Sequence, residues 1–184
     1  MEEPPLLSRR VTLSSGQAVR IRAVRPDDAD RLIDLFAHLS PESIYYRFLE
    51  ARKELTPSQA EAFATVDYDR EMALVATLVE GDEERVIGVA RYAAGEPPDQ
   101  AVAEAAIVVE DAFQSQGLGT ELLRELVQVA LQHGIRTFAA TVHQSNARIL
   151  HFIEKSGYPT RKRLDSGVWE VRVDLNSSAH PDVS

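Results

Sequence analysis

The 184-residue sequence contains no cysteine. Disulfides, thiolate metal sites and a cysteine nucleophile are therefore excluded together. It also lacks long apolar runs: stretches such as residues 105–109 fall far short of the ~20 residues needed to cross a bilayer. Positive charge is in deficit, with 20 Lys and Arg against 29 Asp and Glu, a net charge of −9. General nucleic-acid binding needs a basic face that releases counterions, so this balance argues against it. An acidic surface suits a cationic partner such as an amine or a lysine. No secretory leader is legible, because Glu2 and Glu3 precede only Leu6-Leu7 before Arg9-Arg10. No histidine spacing suggests metal ligation. Glycine and proline, nine of each, mark no linker between domains. These absences predict one soluble, cytoplasmic domain with no metal.

What is present alternates strand and helix patterns. Residues 1–10 read as a tail, and 11–13 and 18–24 as a hairpin around Ser14-Ser15-Gly16, with Val19, Ile21 and Ala23 inward and Arg20 and Arg22 outward. Pro26-Asp27-Asp28, Ser40-Pro41-Glu42 and Thr56-Pro57-Ser58-Gln59 open three helices with prolines and acidic or capping residues in their first turns. Tyr45, Tyr46 and Phe48 read as core packing of the second. Strands follow at 71–79 and 86–93, joined by the turn Glu80-Gly81-Asp82-Glu83. A loop at 95–99 leads to a strand at 101–109. The strongest helix spans 116–133, with Leu118, Leu122, Leu126, Val129 and Ala130 on one face and Gly134 at its end. A strand at 137–142, a helix at 145–156 and a strand at 167–175 complete the order, and 176–184 reads as a loose tail. The fold class is α/β (α+β), a mixed and largely antiparallel sheet with flanking helices.

Residues 103–120 organise this pattern. An apolar strand interrupted by Glu104 passes the acidic turn Glu110-Asp111 and delivers Gln114-Ser115-Gln116-Gly117-Leu118-Gly119-Thr120 into the start of the long helix. Free amides and the dipole at a helix N-terminus attract anions, and glycines let a phosphate approach the backbone. Two readings fit: a plain strand-to-helix connection, or a phosphate cradle. Likewise Glu104 is either a surface carboxylate of an alternating strand or a base. It is no Walker loop, since no Gly-Lys-Ser/Thr follows, and it lacks the third glycine of a dinucleotide fingerprint. His143 and His151 read as ordinary surface or core histidines, and Arg124, Arg136 and Arg148 as solvated charges.

Residues 103–158 resemble the core of the GNAT superfamily of acyl-CoA-dependent N-acetyltransferases. The signature Gln/Arg-x-x-Gly-x-Gly/Ala appears as Gln114-x-x-Gly117-x-Gly119, and the closing pattern as Asn146 followed by Phe152-Ile153-Glu154-Lys155-Ser156-Gly157-Tyr158. Val19-Arg20-Ile21-Arg22-Ala23-Val24-Arg25-Pro26-Asp27-Asp28-Ala29 also resembles the opening of many members, and the likeness extends over about residues 17–175. Residues 39–48, 66–75 and 88–92 are most similar to the bacterial Pat-type protein lysine acetyltransferases. In that group the module is often fused to a regulatory domain, which this length leaves no room for, so such control is expected to be absent or supplied in trans.

The resemblance implies a GNAT domain over 17–175, preceded by a tail and hairpin arm at 1–16, with a splayed cleft that binds acetyl-CoA as cosubstrate. It implies that Glu104, partly buried, is the general base that deprotonates a primary amine, most readily a protein lysine. A small amine as acceptor and a non-catalytic acyl-CoA-binding module are the alternatives. It assigns the pantetheine arm and an oxyanion-stabilising amide to the backbone near Val108 and Val109. The pyrophosphate falls to the loop from Gln114 and Ser115 through Gln116, Gly117, Leu118, Gly119 and Thr120. Asn146 is a helix cap or a link to the cofactor. One arginine among the three is available to the CoA 3′-phosphate. Many members carry a tyrosine where this chain has Ile153, so here the departing thiolate is left to water or to its own acidity.

Overall fold

The alternation in the strands resolves into a sheet buried on both sides. The computed structural model describes residues 7–80, 83–96 and 99–176. Its strands are β1 (Ser8–Thr12), β2 (Ala18–Ala23), β3 (Glu71–Glu80), β4 (Glu83–Ala94), β5 (Val102–Val109), β6 (Thr137–His143), β7 (Thr160–Asp165) and β8 (Val168–Asp174). Its helices are α1 (Ala29–Ala37), α2 (Pro41–Phe48), α3 (Pro57–Ala64), α4 (Leu118–Gln132) and α5 (Ala147–Lys155). The sheet runs β1-β2-β3-β4-β5-β6-β8-β7. Every pair is antiparallel except β5–β6. This is the mixed, mostly antiparallel sheet the patterning predicts.

Successive residues of the central strands serve opposite layers. Val24, Ala73, Val75 and Val86 meet Leu32, Leu35 and Phe36 of α1, Ile44 of α2, and Ala60 and Ala64 of α3. On the other face Ile21, Met72, Leu74, Ile87, Ala90, Tyr92 and Ala103 meet Leu118, Leu122, Leu126 and Ala130 of α4. Val142 and Val171 pack with Ile153 of α5. Ser40 caps α2 by accepting the Ser43 amide at 3.1 Å, and Thr56 and Gln59 form a reciprocal capping box at α3.

Four details differ from the sequence reading. Strand β7 has no counterpart in it, because Thr160-Arg161-Lys162-Arg163-Leu164-Asp165 offers no apolar alternation. It forms by pairing along β8 at the sheet's edge, where Arg163 bonds Glu170 at 2.8 Å and charge suits solvent. Strand β1 begins at Ser8, inside the expected tail. Arg22, expected outward, is 2% exposed. Helix α4 begins at Leu118, two residues later than expected, because Gly117 takes φ = 89° as the residue that precedes it. The turn residues Gly81 and Asp82, the loop prolines 97 and 98, and the tails 1–6 and 177–184 lie outside the described residues.

Candidate functional site

The site begins where β5 and β6 part. Their parallel pairing covers only Val102–Thr137, Ala103–Phe138 and Glu104–Ala139. Beyond it β5 stays on β4 through Val109, while β6 follows β8 to His143, so the sheet opens into a V. Glu104 is the last β5 residue on the floor of that V. Gly95 N–H bonds the Val102 carbonyl, and Glu110 N–H bonds the Ile87 carbonyl. Since alternate residues of an antiparallel strand bond the same neighbour, even-numbered positions turn their backbones to β4. Ala105, Ile107 and Val109 therefore present theirs to the opening. Val108 contributes its side chain instead, to a cavity under α1–α3 that Arg47 and Arg91 also line. Glu104 points to the same sheet face as Val108. It is exposed, not partly buried as expected, so it loses water only when the cleft fills.

The connection from β5 to α4 is held from both sides. Asp111 accepts from the Ser40 amide at 2.9 Å and from the hydroxyls of Ser40 and Ser43 at 2.8 and 2.9 Å. Burial, the largest single effect, raises its carboxyl pKa, but the amide and hydroxyl donors together outweigh it and hold the group below the usual aspartate range. The Gln114 amide donates to the Val109 carbonyl at 2.9 Å and to Ser43 Oγ at 3.3 Å, and Gln116 donates to the Ala112 carbonyl at 2.9 Å. Ser115 takes φ = 59° and Gly117 φ = 89°, two left-handed residues that bend the loop ahead of α4. The first helical bond of α4 runs from Glu121 N–H to the Gly117 carbonyl at 3.1 Å, and no side chain caps the helix. The amides of Leu118, Gly119 and Thr120 thus point into the loop, as an anion site requires. A Cβ on Gly117 would meet nothing within 4 Å, so the concavity is open. One on Gly119 would make ordinary contact with the Phe152 ring at 3.5 Å and with Ile107 at 3.8 Å.

The model of the acetyltransferase (GNAT) family matches residues 34–158. The chain belongs to the GNAT family. It is 35% identical over 125 residues to acetyltransferase PA5475 of Pseudomonas aeruginosa, covering 68% of this chain and 66% of that protein. It is 31% identical over 165 residues to acetyltransferase Pat of Mycolicibacterium smegmatis, covering 90% of this chain. It spans only 48% of that relative's length. Among solved structures, the GNAT domain of S. lividans PAT superposes with a TM-score of 0.84 at 30% identity, covering 94% of this chain and 99% of that one. The structure of yncA from Salmonella typhimurium with its cofactor acetyl-CoA shares the fold at a TM-score of 0.66 and 18% identity, covering 90% of this chain and 99% of that one.

The other candidate residues of this GNAT chain divide cleanly. Asn146 Oδ1 accepts the Ile149 amide at 3.2 Å, a cap on α5. Ile153 is buried on Val142 and Val171. Arg124 pairs with Glu121 at 2.7 Å and Arg136 bonds the Leu131 carbonyl at 3.0 Å. Arg148, in the first turn of α5, is exposed. Phe48 does pack inward, 6.0 Å from Phe36 and 6.3 Å from Phe63. Tyr45 and Tyr46 do not: Tyr45 is 37% exposed, and the Tyr46 hydroxyl reaches the Ser145 carbonyl at 3.2 Å. His143 joins them, its ring 5.4 Å from Tyr45 and its Nδ1 2.7 Å from Ser145 Oγ. These contacts tie α2 to the β6–α5 loop across the mouth of the V. Sequence reasoning missed Arg47 and Arg91 altogether. The available signal was Arg91 sharing the inward alternation of Val89 in β4.

Proposed function

We propose that this chain is an acetyl-CoA-dependent N-acetyltransferase that acts by direct transfer to a primary amine, with a protein lysine as acceptor, in the cytoplasm. One observation carries the reading: a carboxylate, Glu104, stands where the sheet opens, and a helix-terminal anion cradle lies at the far end of the same strand. The cradle fits a phosphorylated ligand because Leu118, Gly119 and Thr120 amides lack intrahelical partners and neither loop glycine carries a Cβ. The open backbone edge at Ala105, Ile107 and Val109 fits an extended arm that adds like a strand. Bound acetyl-CoA supplies the acyl group as a thioester.

The residues' own work is simple. A lysine ammonium, ordinarily of pKa about 10.4, must lose a proton before its nitrogen becomes a nucleophile. Glu104 takes that proton, directly or through one water. The Val109 amide, on the open edge, is placed to donate to developing negative charge on the carbonyl oxygen. Without cysteine there is no thiol relay, so amine and donor must occupy the cleft together.

The decisive test measures CoA-thiol release on a panel of lysine-bearing proteins and small amines. Turnover on proteins supports the reading. Release on small amines alone moves the acceptor to that class, and CoA binding with no release on any acceptor leaves a binding module. The cradle has its own test in Gly117→Ala. Its Cβ would meet nothing within 4 Å, but φ = 89° strains any residue with a side chain, so the unliganded melting temperature should fall slightly. The methyl stands in the open concavity, and the Kd for acetyl-CoA should rise about tenfold, or ~1.4 kcal/mol. An unchanged Kd by titration calorimetry would remove Gly117 from the cradle.

A further inference from the structure

Beneath α1–α3, on the face of the sheet that bears Glu104, lies a cavity of ≈ 50 Å³. Most of its wall is apolar, including Leu35, Phe36, Leu55 and Val108, yet two guanidinium groups enter it, Arg47 from α2 and Arg91 from β4. That volume holds several waters or one small polar group. Arg91 has Glu71 at 3.8 Å, half exposed, and stacks 4.9 Å from the Phe63 ring centre. Arg47 stacks 4.8 Å from Phe48 and, among the described residues, has no carboxylate within ion-pair distance. Register places Arg91 opposite Ala106, two residues along β5 from Glu104 and on the same face.

Burial, then the charge of Arg91, pushes Arg47 down to about 10, with Glu104 acting against the shift. Both arginines therefore remain cationic at neutral pH, in an apolar wall, on a chain whose net charge is −9. A poorly compensated, half-buried cation pair is costly unless an anion arrives. A planar carboxylate matches the guanidinium fork in a space of this size.

We propose that Arg47 and Arg91 form an anion-binding subsite of the acceptor pocket, and that the acceptor presents a carboxylate beside the amine it offers to Glu104. The proposal rests on the acetyltransferase reading and narrows its substrate class to a lysine with an acidic neighbour, despite the acidic surface elsewhere.

The test compares kcat/KM on peptides carrying one lysine flanked by Asp or Glu with isosteric Asn or Gln peptides, for the native chain, Arg47→Gln, Arg91→Gln and Arg47→Lys. A parallel arm compares 5-aminopentanoate with pentylamine. The native chain should favour the carboxylated acceptor about tenfold or more, mainly through KM, the worth of one charge-assisted pair. Each glutamine variant should erase most of that preference, and Arg47→Lys should keep part of it, which guards against a folding artefact. Equal use of acidic and neutral acceptors by the native chain would overturn the subsite. So would glutamine variants that slow both alike, since that marks the arginines as supports for Glu104. If the carboxylated small amine is used in an arginine-dependent way and no peptide is, the subsite stands and the protein-lysine reading falls.

Discussion

Glu104→Gln lowers kcat on the amine acceptor by roughly 10²-fold or more, while the Kd for acetyl-CoA and the melting temperature stay near native. The separation follows from where Glu104 sits. Its backbone closes the β5–β6 pairing, which glutamine preserves, and its side chain is exposed, so no buried partner is orphaned. The phosphate cradle lies at the other end of the strand and is untouched. Only the capacity to take a proton is lost. The defect should therefore shrink as pH rises toward the lysine's own pKa, where the acceptor deprotonates without help. A pH–rate profile of the variant that climbs about tenfold per unit, against a flatter native profile, would carry the assignment. A variant that keeps native kcat at neutral pH would move the base elsewhere.

Much of this was legible because the relevant signals are local. A glycine at φ = 89° before an apolar helix stripe, or a carboxylate in a run of alanines and valines, needs no knowledge of the rest of the chain. The capped starts of α2 and α3 are equally local. What escaped was set by pairing across long separations. Strand β7 is invisible without β8 beside it. The V cannot be read from β5 alone, because its opening is the point where β6 stops following. Tyr45 and Tyr46 carry the composition of a core but face another loop from α2, where the Tyr46 hydroxyl reaches Ser145 and the Tyr45 ring meets His143. Arg22 occupies a strand position that the apolar alternation assigns to solvent, while Arg91 shares the inward face of Val89 under a charge that reads as solvated. Burial was decided by partners 6 to 62 residues away in Arg22's case.

That Arg22 network sets the second large effect, on stability. Arg22, 2% exposed, bonds both oxygens of the fully buried Asp28 at 2.7 and 2.8 Å, and Glu84 at 2.7 Å. Asp28 also accepts the Arg25 amide at 2.8 Å and Arg31 at 3.1 Å, and Thr77 donates to Glu84 at 2.7 Å. The group thus pins β2, β3, β4 and the start of α1 together. Removing one charge leaves the others buried and undercompensated, so Asp28→Asn should cost about 3–5 kcal/mol. For a chain of this size that is a fall in Tm of roughly 10 °C or more. The pH dependence follows from Glu84. The Arg22 hydrogen bond, opposed by burial and aided by Thr77, lowers its pKa from 4.5 to about 2. Between those values the unfolded chain binds the extra proton, so stability rises with pH there. The contribution is fully present above about 4.5 and disappears as pH falls toward 2. Native Tm should hold steady above that range and decline through it as pH falls. Glu84→Gln should lower the plateau and flatten the decline, because the titrating group is gone. An equally steep acid decline in that variant would assign the acid sensitivity to other carboxylates and leave Glu84 a packing residue.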